Sequence, residues 1–465
     1  MIVQMRRLAD RSGFWLTLFA IYAIAQSAIR VYYKSSFFGD DSELFLWARE
    51  LAWGYGVQPP LYAWLQWFVN RIFGEGQVGM AAMRALCIWG IYGAGFLLAR
   101  RFVAVRHAGL AALGLFLIPE ISQTFLRTRT HNLLVTALVP LACIAFLDLL
   151  SRRRARDYLG FGLMAGLAVI AKATGAIFLV ALVISAAILR ETRPAIAAKG
   201  MWLSLLAVLV VVAGPTLWSL ANPEIATASL AKFEPGGGWP TGLARLGWSV
   251  IASAGFAAVA IAIGWVLTRR TEEPPPRLGL FWLAGILSLA LIAITIIATN
   301  SAELKERWLV PVVAPLVPLA IAALLRRRGI ARFTPSALGA LAGALMLATL
   351  PAYFQKTEPL PRADFALLAD VFARTGADRM LMTDDMAAGL ALAQPDIPVE
   401  QRVDRGALAC RGKLLLAIWP EEDFALEAFA ARLPGCDLVD GREQAIDAGG
   451  IQVRYRVFTL TPSAG

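Results

Sequence analysis

Three acids, Asp40, Asp41 and Glu43, stand together after the first long apolar stretch, directly behind Gly39. Carboxylates so placed can take a proton from an attacking hydroxyl or amine, or can ligate a metal. They can also do structural work: Asp41 or Ser42 could cap a helix, with the acids at the positive end of its dipole. Capping accounts for one acid and leaves the others to be explained. A second group is cationic. The segment IPEISQTFLRTRTHN carries Glu120, Arg127, Arg129 and His131, and Arg127 and His131 share a face if a helix runs through both. Lys172 interrupts the apolar run GLAVIAKATGAIF, and Glu303, Lys305, Glu306 and Arg307 crowd ATNSAELKERWLVP.

Each cation has a plain reading beside a chemical one. Lys172 either snorkels to an interface or marks a functional site at membrane depth. The charges of 303–307 are either solvated loop residues anchored by Trp308 or a cradle for a phosphate, which arginine grips with a two-pronged fork. His131 is one of only two histidines; the other, His107, lies in a basic loop and reads as solvated.

The elements that must position these residues are membrane spans. The chain has 465 residues, 58% hydrophobic and 17% charged, against about 45–50% and 25% for a soluble globular chain. The excess is confined to residues 1–355, whereas 356–465 read as a soluble α/β domain, so a transmembrane domain and a soluble domain are expected. A span needs about 20 apolar residues. Eleven stretches qualify, centred near residues 23, 91, 113, 141, 165, 181, 210, 256, 288, 316 and 345, those near 113 and 165 being short. The first follows the basic MIVQMRRLADRSG and reads as a retained span rather than a cleaved signal peptide.

The net charge of +11 is a matter of loops, since the arginines cluster between apolar stretches. With eleven crossings, Arg100–Arg101–Arg106, Arg152–Arg153–Arg154–Arg156, Arg190–Arg193, Arg269–Arg270 and Arg326–Arg327–Arg328 all fall on the side of Arg6, Arg7 and Arg11. The positive-inside rule makes that side cytoplasmic and argues against a nucleic-acid partner. The C-terminal domain then lies outside, in the periplasm of a Gram-negative cell, as does the aromatic loop 34–80, whose amphipathic helix suits the membrane interface. Arg127, Arg129, Lys172, Lys305 and Arg307 fall on the cation-poor outer side, which suggests one site for an anionic lipid. Cys87 and Cys143 fall within spans as packing residues; Cys410 and Cys436, alone in the outer domain, can pair in an oxidising compartment.

The acid pair, the aromatic loop with GYGVQPPLYAWLQ, the Thr130-His131 pair, Lys172 and KERWLVP at 305–311 occur in that order. Together they resemble the bacterial members of the dolichyl-phosphate-mannose–protein mannosyltransferase superfamily, glycosyltransferases of the C-type membrane fold that include lipid A and lipopolysaccharide-core transferases. The resemblance implies a sugar moved from a polyprenyl-phosphate donor to an envelope acceptor (lipid A or LPS core, another glycolipid, a polysaccharide or a protein) with inversion and with the lipid phosphate leaving. It implies Asp40 as catalytic base or acceptor-orienting carboxylate, with Asp41 and Glu43 beside it. Lys172, Lys305 and Arg307 would hold the lipid phosphate, helped by Arg127 and His131, and Tyr55, Gln58, Pro59, Pro60, Tyr62 and Glu120 would shape the loop around the acceptor. No cofactor, metal or nucleotide site is expected, in keeping with the lack of a Walker-type or GxGxxG loop. The sequence departs from the pattern at Asn132, where many relatives carry a second acid; the nearest acid here is Glu120. The rival reading, a transporter or flippase for a polyprenyl-linked lipid, would call for mid-span charges and internal repeats. Neither is seen.

Overall fold

The computed structural model describes residues 8–33, 37, 39–125, 130–227, 238–266, 277–326, 365–377, 379–382, 388, 390–391, 399–401, 413–418, 436–439, 441, 444–447 and 452–462. The chain forms two compact units. One comprises Met1–Arg30, Ala52–Leu65 and Ala81–Gln355; the other comprises Val31–Leu51, Gln66–Met80 and Lys356–Gly465. The long loop after the first span thus contributes to both.

The first unit is a helical bundle. Its helices include α1 (Ser12–Tyr33), α4 (Gln77–Ala99), α5 (Val105–Leu113), α6 (Thr130–Arg152), α7 (Ala155–Ala171), α8 (Gly175–Ile188), α9 (Met201–Ala221), α10 (Gly238–Val266), α11 (Leu278–Thr299) and α12 (Val310–Leu325). Between α1 and α4 lie α2 (Asp40–Trp47) and α3 (Leu61–Phe73). Six described helices, α1, α4, α6, α9, α10 and α11, are long and apolar enough to cross a membrane. This is a polytopic helical membrane protein. The stretch near 113 forms the nine-residue α5, which tightens into a 3-10 turn at Gly114–Leu117, and that near 165 forms the 17-residue α7. The candidate near 345 lies outside the described residues.

Small residues decide how closely the helices approach. Gly162 and Gly166 of α7 face α9: a Cβ at Gly162 would lie 2.2 Å from the Ser204 carbonyl oxygen, and one at Gly166 2.8 Å from Val211 Cβ. Ser204 Oγ reinforces that seam by donating to the Tyr158 carbonyl at 2.7 Å. Cys87 and Cys143 are buried free thiols in α4 and α6. Most of α9 and α10 is unburied and strongly apolar, as lipid-facing helices are.

In the second unit, α13 (Phe365–Thr375) precedes a mixed six-stranded sheet. Its strands are β1 (Arg379–Met382), β2 (Val399–Gln401), β3 (Lys413–Ile418), β4 (Cys436–Val439), β5 (Gln444–Asp447) and β6 (Gln452–Pro462). The order is β2-β1-β3-β6-β4, with β5 also paired to β6. β1 runs parallel to β2 and β3, while β6 is antiparallel to β3, β4 and β5. Leu414, Leu415, Leu416 and Ala417 are all buried, as a central strand covered on both faces requires. Cys410 lies outside the described residues.

Candidate functional site

In the first unit, a cavity of about 400 Å³ gathers Gln58, Pro59, Lys172, Lys305 and Arg307 from three stretches far apart in sequence. Its wall is largely apolar, with Leu291, Ile292, Thr295, Ile296 and Thr299 coming from α11. An apolar chamber with a few convergent polar groups is the usual form of a small-ligand site.

Local backbone rules explain how the cations arrive there. Lys172 ends α7 in an extended conformation, and the Gly175 N–H donates to its carbonyl at 2.9 Å, closing a tight turn into α8. A Cβ at Gly175 would stand 2.7 Å from Val135 Cγ2, so only glycine lets this turn sit against α6. At the other wall, Asn300 takes a left-handed conformation (φ 48°) after α11. The Asn300 N–H bonds the Ile297 carbonyl at 3.2 Å and the Ser301 N–H that of Ile296 at 3.1 Å. This pair of bonds is a Schellman ending, which stops the helix and turns the chain sharply. The loop then tightens into a 3-10 turn, Glu306–Trp308, before α12 begins with Pro311 in its first turn. Lys305 thereby precedes this short turn and Arg307 lies within it, both on the cavity lining.

The aromatic loop is built to present Gln58 and Pro59. The Tyr55 hydroxyl accepts from the Ala52 N–H at 2.7 Å, Trp64 Nε1 donates to the Ala52 carbonyl at 2.7 Å, and the Gln58 N–H donates to the Tyr55 carbonyl at 3.1 Å. Gly56 supplies the positive φ (57°) inside that turn. Tyr55 is therefore buried support for the turn. Pro60 is buried, and its carbonyl accepts the Trp64 N–H at 3.0 Å in the first turn of α3. The loop is locked onto α9 by two reciprocal contacts: a Cβ at Gly54 would fall 2.0 Å from the Trp218 ring, and one at Gly214 2.3 Å from the Trp53 ring.

Tyr62 and His131 meet away from the cavity lining. Their rings lie 5.5 Å apart, and both are buried. Burial pushes the Tyr62 phenol well above its ordinary value, the neighbouring Cys87 adding to the shift while Arg84 opposes it. Arg84, itself 3% exposed, donates from Nη1 to the Phe125 carbonyl at 2.6 Å. Glu120 begins a five-residue π-helical turn, Glu120–Thr124, and is part-buried. Arg127 and Arg129 lie outside the described residues.

The acids belong to the second unit. Asp40, Asp41 and Glu43 occupy the first turn of α2, where the helix dipole favours negative charge. The expectation that Asp41 or Ser42 caps this helix is corrected. The N-cap is Gly39 (φ 58°), there is no side-chain capping bond, and the Gly39 carbonyl accepts the Ser42 and Glu43 N–H groups. With glycine making the entry turn, Asp40 becomes the first helical residue. Asp41 and Ser42 turn inward, at 2% and 0% exposure, while Asp40 and Glu43 keep partial access to solvent. Among the described residues no group of three or more His, Cys, Asp or Glu is arranged to hold a metal ion.

Three features escaped the sequence reading. Arg84 is a lone cation in an apolar helix, a signal that was present but overlooked. Gln66 Nε2 donates to Asn70 Oδ1 at 2.8 Å, a buried amide pair at i, i+4 on α3. Arg245 pairs with Glu303 at 3.0 Å across 58 residues, which no local pattern announces.

Known proteins match this chain across much of its length. The dolichyl-phosphate-mannose-protein mannosyltransferase family matches residues 57–218. The lipopolysaccharide core galacturonosyltransferase RgtB of Rhizobium johnstonii is 28% identical over 314 residues, 64% of this chain and 62% of that protein. RgtA of the same organism, also a lipopolysaccharide core galacturonosyltransferase, is 26% identical over 405 residues, 82% of this chain and 81% of its own. The chain is thus similar to members of the dolichyl-phosphate-mannose–protein mannosyltransferase superfamily. Two crystal structures of ArnT from Cupriavidus metallidurans share its fold. The one bound to undecaprenyl phosphate has a TM-score of 0.60 at 16% identity, covering 95% of this chain and 98% of that one. The apo structure gives 0.61 at 16%, covering 96% and 97%. The family match takes in Gln58, Pro59, His131 and Lys172; Asp40 precedes it, and Lys305 and Arg307 follow it.

Proposed function

We propose that this protein is a membrane glycosyltransferase that moves a sugar from a polyprenyl-phosphate donor to an envelope glycolipid on the periplasmic face of the inner membrane. The observation that carries the reading is the joining of Lys172, Lys305 and Arg307 on one largely apolar cavity. A lipid phosphate needs both features, cations for its head and apolar surface for its chain. The likeness to a protein crystallised with undecaprenyl phosphate supports the donor class, and the lipopolysaccharide-core relatives support a core sugar as the acceptor.

In this reading Asp40 takes the proton of the acceptor hydroxyl, a role proposed from its place after the first span and from the family resemblance. The acceptor oxygen bonds to the anomeric carbon from the face opposite the phosphate, and the bond from that carbon to the phosphate oxygen breaks. The proton ends on the carboxylate and the electron pair on the leaving phosphate, with inversion at the sugar. As the phosphate gains charge, Lys172, Lys305 and Arg307 bind it more strongly than in the ground state, so they lower the barrier rather than merely tightening binding. The deciding experiment is mass spectrometry of envelope glycolipids from cells with and without the gene. One sugar residue should vanish from the lipopolysaccharide core in the deletion strain and return with the plasmid-borne gene. Unchanged core, lipid A and other glycolipids would sink the proposal.

A further inference from the structure

Among the described residues lining the cavity that holds Lys172, Lys305 and Arg307, Glu303 is the one acid. A carboxylate there opposes the binding of any phosphate. Its Oε1 accepts a hydrogen bond from Arg245 Nη1 at 3.0 Å, and Arg245 is not itself part of the lining. The negative charge is therefore met from behind. The two side chains are 47% and 37% exposed, and an ion pair so open to water adds little to folding.

The same helix also holds the cation-bearing loop by uncharged contacts. The Trp239 N–H donates to Asn300 Oδ1 at 3.0 Å, a Cβ at Gly242 would meet the Ser301 carbonyl oxygen at 2.2 Å, and Ser253 Oγ donates to the Glu306 carbonyl at 3.4 Å. With these contacts in place the loop does not depend on Arg245 for its path. What Arg245 alone supplies is a positive charge facing Glu303.

We propose that Arg245 is a positioning residue of the anion site: by holding the Glu303 carboxylate it keeps that charge from opposing a phosphate monoester bound in the cavity. The inference rests on the donor reading above and deepens it. Its test uses the purified full chain in nanodiscs, undecaprenyl phosphate as the probe, and the dissociation constant as the readout. Arg245→Gln should weaken binding roughly tenfold at low salt, and by less at high salt, where charge repulsion is screened. Glu303→Gln alone should bind at least as well as wild type. The double variant Arg245→Gln/Glu303→Gln should recover wild-type affinity to within about twofold, since with no carboxylate to hold Arg245 has nothing left to offset. A purely structural tether predicts the opposite, a double variant no better than Arg245→Gln, and that result overturns the inference. So does an Arg245→Gln protein that binds like wild type. If wild-type protein itself fails to bind undecaprenyl phosphate, the donor reading falls, and this inference with it.

Discussion

The ring of Tyr62 stands 5.5 Å from the imidazole of His131, tilted 52° to it, so two motifs separated by 69 residues meet inside the bundle. One belongs to the aromatic loop and the other to the Thr130-His131 pair that opens α6. Tyr62 is 1% exposed. Truncation to alanine should therefore destabilise the protein by about 3–5 kcal/mol, the usual cost of emptying an aromatic site in a packed interior. Tyr62→Phe keeps the ring and should cost less than about 1.5 kcal/mol. Thermal unfolding in detergent distinguishes them, and equal melting of Tyr62→Ala and wild type would show that the contact is not part of the core.

Removing a cation from the cavity should act on the rate. Lys172→Ala and Arg307→Ala should each lower turnover about a hundredfold, the scale of a lost donor to a developing oxyanion. Arg307→Lys should recover only part of the loss, since an ammonium cannot reproduce the guanidinium fork. Arg153→Ala, in the α6–α7 connection, should match wild type. Sugar transfer from a synthetic undecaprenyl-phosphate donor is the measurement, and parallel behaviour of Arg307→Ala and Arg153→Ala would reduce the cavity cations to bystanders.

The acids of α2 should divide by burial. Asp40→Asn should abolish transfer while the protein folds normally, because Asp40 keeps partial access to solvent. Asp41 is 2% exposed and is not the cap of its helix. Asp41→Ala should lower stability by about 1–3 kcal/mol, the scale of disturbing a buried polar group. Circular dichroism melts beside transfer assays separate the two effects. An Asp41→Ala protein as stable as wild type would count against the buried role.

The tryptophan–glycine contacts on α9 should be intolerant of bulk. Gly214→Val must displace the Trp53 ring, and should cost about 1–3 kcal/mol and loosen donor binding by moving Gln58 and Pro59. Gly247→Ala is the control, because a Cβ at that helical position meets nothing within 4 Å. It should be neutral or stabilising by up to about 1 kcal/mol. If both variants melt alike, the close approach is not decisive.

Sidedness has its own test. A reporter active only in the periplasm, fused at Gly465, should be active. An inactive fusion would remove the eleven-crossing count and the placement of every site on the outer face.

Much of the bundle was legible in the sequence because lipid imposes one rule on each span: about twenty apolar residues with charges at the ends. GAIFLVALVISAAI could be read as a buried helix, and Lys172 stood out because an ionisable residue beside it needs a reason. The entry to α2 was misread for a local cause. Gly39 at positive φ starts a helix without a side-chain cap, and sequence does not reveal which glycine takes that conformation. The Arg84 bond to the Phe125 carbonyl and the Arg245–Glu303 pair were invisible for another reason. They join residues 41 and 58 positions apart, and no periodicity encodes a contact between segments so distant in sequence.

The locking of the aromatic loop onto α9 has a mechanical consequence. α9 has 21 residues, about 31 Å of helix, close to the hydrocarbon thickness of an ordinary bilayer. Only 11% of its apolar window is buried inside the protein, so most of that surface faces lipid, while the seam with Gly162 and Gly166 ties one side to α7. Trp53 on Gly214 and Trp218 on Gly54 fasten that helix to the loop carrying Gln58 and Pro59. A thinner membrane that tilts α9 would carry one wall of the cavity with it. Acyl-chain length in the host membrane thus becomes a variable acting on that wall of the site, with α9 as the lever arm.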